Sequence, residues 1–167
     1  MSSVYRNILV AVDGSPDGDA ALAHASALAR DQHARLTLLT AIPPVPATAL
    51  LATGAAPPRT EVVNHYTDLL RRATASLPDD ISVTTLLVEG PAAKALIERA
   101  RSGAFDLIVM GSHGHGRLHQ SLLGCVSQKV LHASPIPVLL TRAPAEESAS
   151  LPVPASDSTL DFYPLTG

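Results

Sequence analysis

Five short apolar runs alternate along the chain with four longer stretches of helical period. Ile8–Val12, Leu36–Ile42, Val83–Val88, Leu107–Met110 and Ile136–Leu140 are almost continuously aliphatic, which marks strands covered on both faces rather than strands with one wet side. Between them the apolar positions change period. Ser15 is placed to cap a first helix with Pro16 as its first residue, and Asp17 and Asp19 stand near its positive end; this Ala-rich helix runs to about Gln32. A second helix starts near Thr60, with Val62, Tyr66, Leu69, Leu70, Ala73 and Leu77 on one stripe. Gly90 and Pro91 open a third, whose buried side is Ala92, Ala93, Leu96, Ile97 and Ala100, and Gly103 closes it. The fourth covers about Ser121–Ala133. Strands and helices in strict alternation predict an α/β fold, a doubly wound five-stranded parallel sheet flanked by helices.

Two stretches fall outside this rhythm. Pro43, Pro44, Pro46, Gly54, Pro57 and Pro58 exclude regular structure over residues 43–59, leaving either a functional lid or an insertion without structure of its own. Beyond Arg142 the chain mixes Pro, Ser, Ala and acids, a composition that favours flexibility. The expected division is therefore a domain over residues 1–142 and an acidic tail over 143–167. The tail's apolar Leu160–Leu165 end either docks on the body or a partner, or is a ragged terminus.

Composition narrows the function classes. A chain of 167 residues with 46% hydrophobic content carries enough apolar surface for one sizeable core. Aromatic residues are only 3%, with no Trp, so the core is aliphatic and platforms for stacking bases are scarce. The net charge of −3 is concentrated in the tail, where Glu146, Glu147, Asp157 and Asp161 meet no Lys or Arg. The near-neutral body has no general grip on nucleic acid or a membrane surface. The single cysteine, Cys125, excludes an intramolecular disulfide and suits a reducing compartment. No run approaches the roughly 18–20 apolar residues of a membrane helix, and no leader pattern opens the chain, so the expected location is cytoplasmic.

Candidate chemistry gathers in Phe105–Ser127. A buried strand, a glycine-rich turn and a helix N-terminus follow one another, an arrangement that points backbone N–H groups and a helix dipole at an anion. The dinucleotide pattern GxGxxG fails, because Gly114-x-Gly116 is followed by His119 where the third glycine belongs. The phosphate-loop pattern fails too, because Arg117 and Leu118 follow Gly116 in place of Lys and a hydroxyl residue. What stands is Gly111-x2-Gly114-x9-Gly124, then Cys125, Val126 and Ser127. This resembles the G-x2-G-x9-G-[S/T] motif of the ATP-binding branch of the universal stress protein family, with Cys125 in place of its Ser or Thr. Asn7–Ser15 (NILVAVDGS), Phe105–Gly114 (FDLIVMGSHG) and Ser134–Leu140 (SPIPVLL) resemble that family's first, fourth and last strands. The likeness runs over about residues 4–142.

The resemblance implies a strand order 3-2-1-4-5, which sets Asp13 and Gly111–Gly124 along one crevice. It implies ATP, with Mg or Mn, as the ligand. Ala11, Val12 and Ala41 would flank the adenine and ribose, with Met110 beside them. Gly111, Gly114 and Gly124 would let backbone approach phosphate, and the Ser127 hydroxyl and the N–H groups of Cys125 and Val126 would complete the shell. Asp13 would hold a ribose hydroxyl or a divalent ion between phosphates. His113 is the histidine expected near phosphate, with Arg117 as a further contact. The family also implies a homodimer through the Ile136–Leu140 edge strand.

Each role has a plainer competitor. Asp13 ends a strand and is placed to cap a helix, the glycines are turn residues, and Cys125 is expected as a small buried residue rather than a redox group. His113, His115 and His119 have a spacing that suits metal ligands, but no cysteine pair or second histidine cluster completes a zinc site. HExxH, GxSxG and CxxC are all absent. The expected protein is thus a nucleotide-dependent regulator or sensor rather than a fast enzyme. The alternatives are a stress-response dimer with a vestigial pocket, or a binder of AMP or a cyclic nucleotide.

Overall fold

The computed structural model describes residues 4–44, 56–114 and 123–144. Within them the elements run β1 (Asn7–Ala11), α1 (Pro16–Gln32), β2 (Arg35–Ile42), α2 (Arg59–Ala75), β3 (Val83–Glu89), α3 (Ala92–Arg101), β4 (Leu107–Gly111), α4 (Cys125–Ala133) and β5 (Val138–Thr141). All pairings are parallel and the strand order is β3-β2-β1-β4-β5. This is the doubly wound α/β sheet expected from the alternation of runs.

The aliphatic strands divide their side chains between two layers, because successive residues point to opposite faces. Ile8, Val10, Leu36, Leu38, Leu107 and Val109 pack under α1 and α2 with Ala21, Ala25, Leu70 and Leu77. Leu9, Leu39, Ile108 and Met110 pack under α3 and α4 with Ala93, Leu96, Ala100 and Val130. Ile8, Leu9 and Val10 are wholly buried, each stabilising the fold by roughly 1.5–3 kcal/mol relative to exposure. The core is aliphatic, as the shortage of aromatic residues requires.

Two boundaries differ from expectation. The last strand is Val138–Thr141 rather than Ile136–Leu140. Pro135 and Pro137 have no N–H to donate, and the Ser134 hydroxyl donates to Ile136 O at 2.7 Å, turning the chain before the ladder begins. The last helix runs from Cys125, with Gly124 at its N-cap in extended conformation (φ −68°, ψ 157°). The expected start at Ser121 lies outside the described residues, as do Arg117, His115, His119, most of the 43–59 stretch and the tail from 145.

Candidate functional site

The strand order puts the ends of β1 and β4 side by side at the point where the winding reverses, the place in such sheets where a crevice opens. The exit of β1 is shaped by its own side chains. Asp13 Oδ1 accepts from the Ser15 N–H at 2.9 Å and from the Ser15 hydroxyl at 2.6 Å. Ser15 Oγ in turn accepts from the Gly18 N–H at 3.1 Å, which makes Ser15 the N-cap of α1, with Pro16 at the first helical position. Asp13 itself is exposed.

The exit of β4 is pinned on both sides. A Cβ built on Gly111 would lie 2.8 Å from the Asp17 carbonyl carbon and 2.8 Å from the Gly18 nitrogen, so the glycine is required by the approach of α1. Among the described residues, a Cβ on Gly114 would meet the Asp13 carboxylate, at 2.9 Å from Oδ2. On Gly124 it would lie 3.2 Å from Ser112 O and 3.4 Å from the His113 Cα. The three glycines of the motif therefore do different work: Gly111 admits a helix, Gly114 admits a carboxylate, and Gly124 lets α4 start against the Ser112–Gly114 turn.

Helix α4 is tied to that turn by the Gly124 N–H, which donates to Ser112 O at 2.8 Å. The buried Ser127 hydroxyl is 3.0 Å from both Gly111 O and Ser112 O. It thus faces the strand's carbonyls. The first intrahelical bond is from Gln128 N to Gly124 O, so the N–H groups of Cys125, Val126 and Ser127 have no partner within the helix. Cys125 is exposed rather than a small buried residue, because the position of α4 that faces the strand falls to Ser127.

Of the residues expected around an adenine, Val12 and Met110 are both buried but on opposite faces of the sheet, in the α1/α2 and α3/α4 layers respectively. Ala11 and Ala41 are half-buried at the ends of β1 and β2. A groove of about 780 Å³ between α1 and α2 reaches Val12 and Gly14.

Sequence reasoning missed the residue that organises this edge. Asp17 reads as a dipole-pairing acid of the first helical turn, yet it is 4% exposed. Its Oδ2 accepts from the Ser112 hydroxyl at 2.8 Å and the His113 N–H at 3.1 Å, and its Oδ1 accepts from the Ala143 N–H at 2.9 Å. Its own carbonyl accepts from the Thr141 hydroxyl at 3.0 Å. Burial pushes this carboxyl up, but the hydrogen bonds from Ala143, Ser112 and His113 outweigh burial and hold it below the usual carboxylate range. The one readable signal was a hydroxyl and an imidazole, Ser112 and His113, directly following a buried strand.

The universal stress protein family model matches residues 4–142. The chain belongs to the universal stress protein family. A universal stress protein encoded beside a sulfhydrylase in Thermus aquaticus is 34% identical over 145 residues, covering 83% of this chain and all of that one. Among solved structures, the hypothetical protein MJ0577 superposes with a TM-score of 0.68 at 26% identity, covering 83% of this chain and 96% of that one. Another similar structure is a universal stress protein in complex with cAMP, with a TM-score of 0.55 and 28% identity, covering 82% of this chain and 96% of that one. The universal stress protein fold is shared throughout the five-stranded sheet, and no described helix is long and apolar enough to cross a membrane.

Proposed function

We propose that this universal stress protein binds an adenine nucleotide, ATP in the first instance, and acts as a ligand-dependent regulator rather than a fast enzyme. The observation that carries this reading is the N-terminus of α4. Three N–H groups without helical partners stand against a glycine turn, and α4 has no acid in its first turn. Such a helix end favours phosphate by hydrogen bonding and by its dipole. A relative 28% identical to this chain in complex with cAMP supports an adenine ligand.

In this reading Gly114, Gly124 and the N–H groups of Cys125 and Val126 surround the phosphates. Cys125 contributes its backbone, so the missing Ser or Thr hydroxyl costs one contact and not the site. Gly111 and the Ser127 hydroxyl act indirectly, by fixing β4 against α1 and α4. His113 and Arg117 supply further phosphate contacts, and the half-buried Ala11 and Ala41 at the strand ends lie beside adenine and ribose, with Val12 supporting them from one layer of the core and Met110 from the other. Among the described residues, Asp13 is the carboxylate beside Gly114 that would meet a ribose hydroxyl or a nucleotide-bound Mg or Mn ion. Among the described residues no group of three or more His, Cys, Asp or Glu side chains could hold a metal, so the phosphates themselves would carry most of its ligation.

The same reading makes the protein a cytoplasmic homodimer paired through β5. That strand lies at the sheet edge and its Val138, Leu139 and Leu140 are only half-buried, an apolar edge that a second copy would cover. The test is mass spectrometry of ligand released from protein purified without added nucleotide, followed by calorimetry. Bound ATP in the wild type, lost in Gly114→Ala and Gly124→Ala, is the expected result. An empty protein that also fails to take up ATP overturns the reading.

A further inference from the structure

Helices α3 and α4 lie side by side over one face of the sheet, packed inward through Ala93, Leu96, Ala100 and Val130. Between them runs a groove of about 830 Å³ with Pro91, Ala93, Ile97 and Ala133 in its apolar lining. Its rim is basic. Lys94 and Arg101 stand on the α3 side and Lys129 and His132 on the α4 side, all four exposed. Glu98 is the acid among the described lining residues, and Lys94 already faces it at 3.8 Å. The groove between α1 and α2 has no such bias, since Asp19 and Arg72 balance each other in its lining.

The complement to that rim is in the same chain. Beyond Pro144 the sequence carries Glu146, Glu147, Asp157 and Asp161 with neither Lys nor Arg. Asp161 sits inside Leu160–Leu165, which also holds Phe162 and Tyr163 in a chain otherwise poor in aromatic residues. Rings with acids beside them suit an apolar lining with a cationic rim, because Lys and Arg offer a ring both their apolar stems and their charge. Extended, the segment from Pro144 to Leu160 spans roughly 50 Å, whereas α4, of 9 residues, is about 14 Å long. The groove is within reach. A tether of this kind holds the segment at a local concentration on the order of millimolar, so even a weak contact is made ahead of a dilute partner.

We propose that Leu160–Leu165 of the chain's own tail docks in the groove between α3 and α4. Phe162 and Tyr163 rest on the apolar lining, and Asp157 and Asp161 face Lys94, Arg101 and Lys129. The acidic tail is then a cover for a basic face of its own domain, and a partner using that face must displace it. This docking is independent of the nucleotide reading and needs no ligand.

Two measurements on the full chain test the proposal. The sequence has no Trp, so Phe162→Trp gives a fluorescence signal from the segment alone. Its emission should be that of a shielded indole, protected from acrylamide. Lys94→Glu together with Lys129→Glu should shift it to that of an indole in water, and Asp157→Lys with Asp161→Lys in that background should restore it. Arg72→Glu, in the α1–α2 groove, should change nothing. The second measurement locates the segment. With Cys125→Ala removing the native thiol, a spin label attached through Thr166→Cys should broaden the amide signals of Ile97, Arg101 and Lys129. In a mixture of spin-labelled chains with unlabelled, isotope-enriched ones, that broadening should be lost. A water-exposed indole before any groove charge is changed, shielding indifferent to those charges, or broadening confined to another face overturns the docking. Broadening that persists in the mixture overturns the assignment to the chain's own tail and gives the groove to the tail of a second copy.

Discussion

Helices α1 and α4 both begin at the carboxyl edge of the sheet, and both rest on the residues leaving β4. Ser15 caps α1 through the Gly18 N–H, and Asp17 and Asp19 fill its first turn. At α4 the N-cap is Gly124, with no side-chain cap among the described residues and no acid in the first turn. Among the described residues, one helix start is satisfied by its own side chains and the other has neither a side-chain cap nor an acid to answer its dipole. On the proposed reading, an anion entering between them would be repelled by the acids of α1 and attracted by the N-terminus of α4.

The strongest way to break the comparison is at Gly111, where the two sides join. Gly111→Ala should destabilise the fold by about 3 kcal/mol, read from urea denaturation, since neither the Asp17 carbonyl nor the Gly18 nitrogen is a movable side chain. Asp17→Ala leaves the Ser112, His113 and Ala143 donors without their acceptor and should cost about 2 kcal/mol. This contribution has a pH signature. The folded-state pKa of Asp17 is depressed, so its stabilisation is fully present above the unfolded value of about 4 and is lost as pH falls through the lower folded value. The stability gap between wild type and Asp17→Asn should therefore close below about pH 4 in denaturation curves taken across pH.

Smaller changes sharpen the contrast. Ser15→Ala removes the α1 cap and should cost about 1 kcal/mol, seen as a lower melting temperature. Val126→Asp supplies α4 with the acid that α1 already has. It should raise stability by about 0.5 kcal/mol while lowering ATP affinity several-fold, two opposite signs from one exposed position. A variant that loses both, or gains both, would show that the dipole at α4 does not distinguish the two helix starts.

The sheet was legible because each strand is a block of aliphatic residues and two of the helices carry start signals, Ser15-Pro16 and Gly90-Pro91, while the strand order came from the resemblance to the family. The glycine spacing was legible as a motif, but not the separate task of each glycine, because spacing does not reveal which backbone lies opposite. That Gly111 faces α1 follows from the sheet's geometry and not from its neighbours in sequence. Asp17 was illegible for a related reason. Its partners Ser112, His113 and Ala143 are 95, 96 and 126 residues away, and local rules assign an acid in a first helical turn to the dipole. Cys125 misled in the other direction, since cysteine is commonly buried while the first position of α4 is not.

The bond from the Ala143 N–H to Asp17 carries one more consequence. The chain departing from β5 is moored to the same carboxylate that shapes the Ser112–Gly114 turn, so the two are mechanically in series. A displacement of Ala143 would therefore disturb the acceptor of the Ser112 hydroxyl and the His113 N–H. A fluorophore at Pro144, one residue past that bond, is accordingly a remote gauge of the turn.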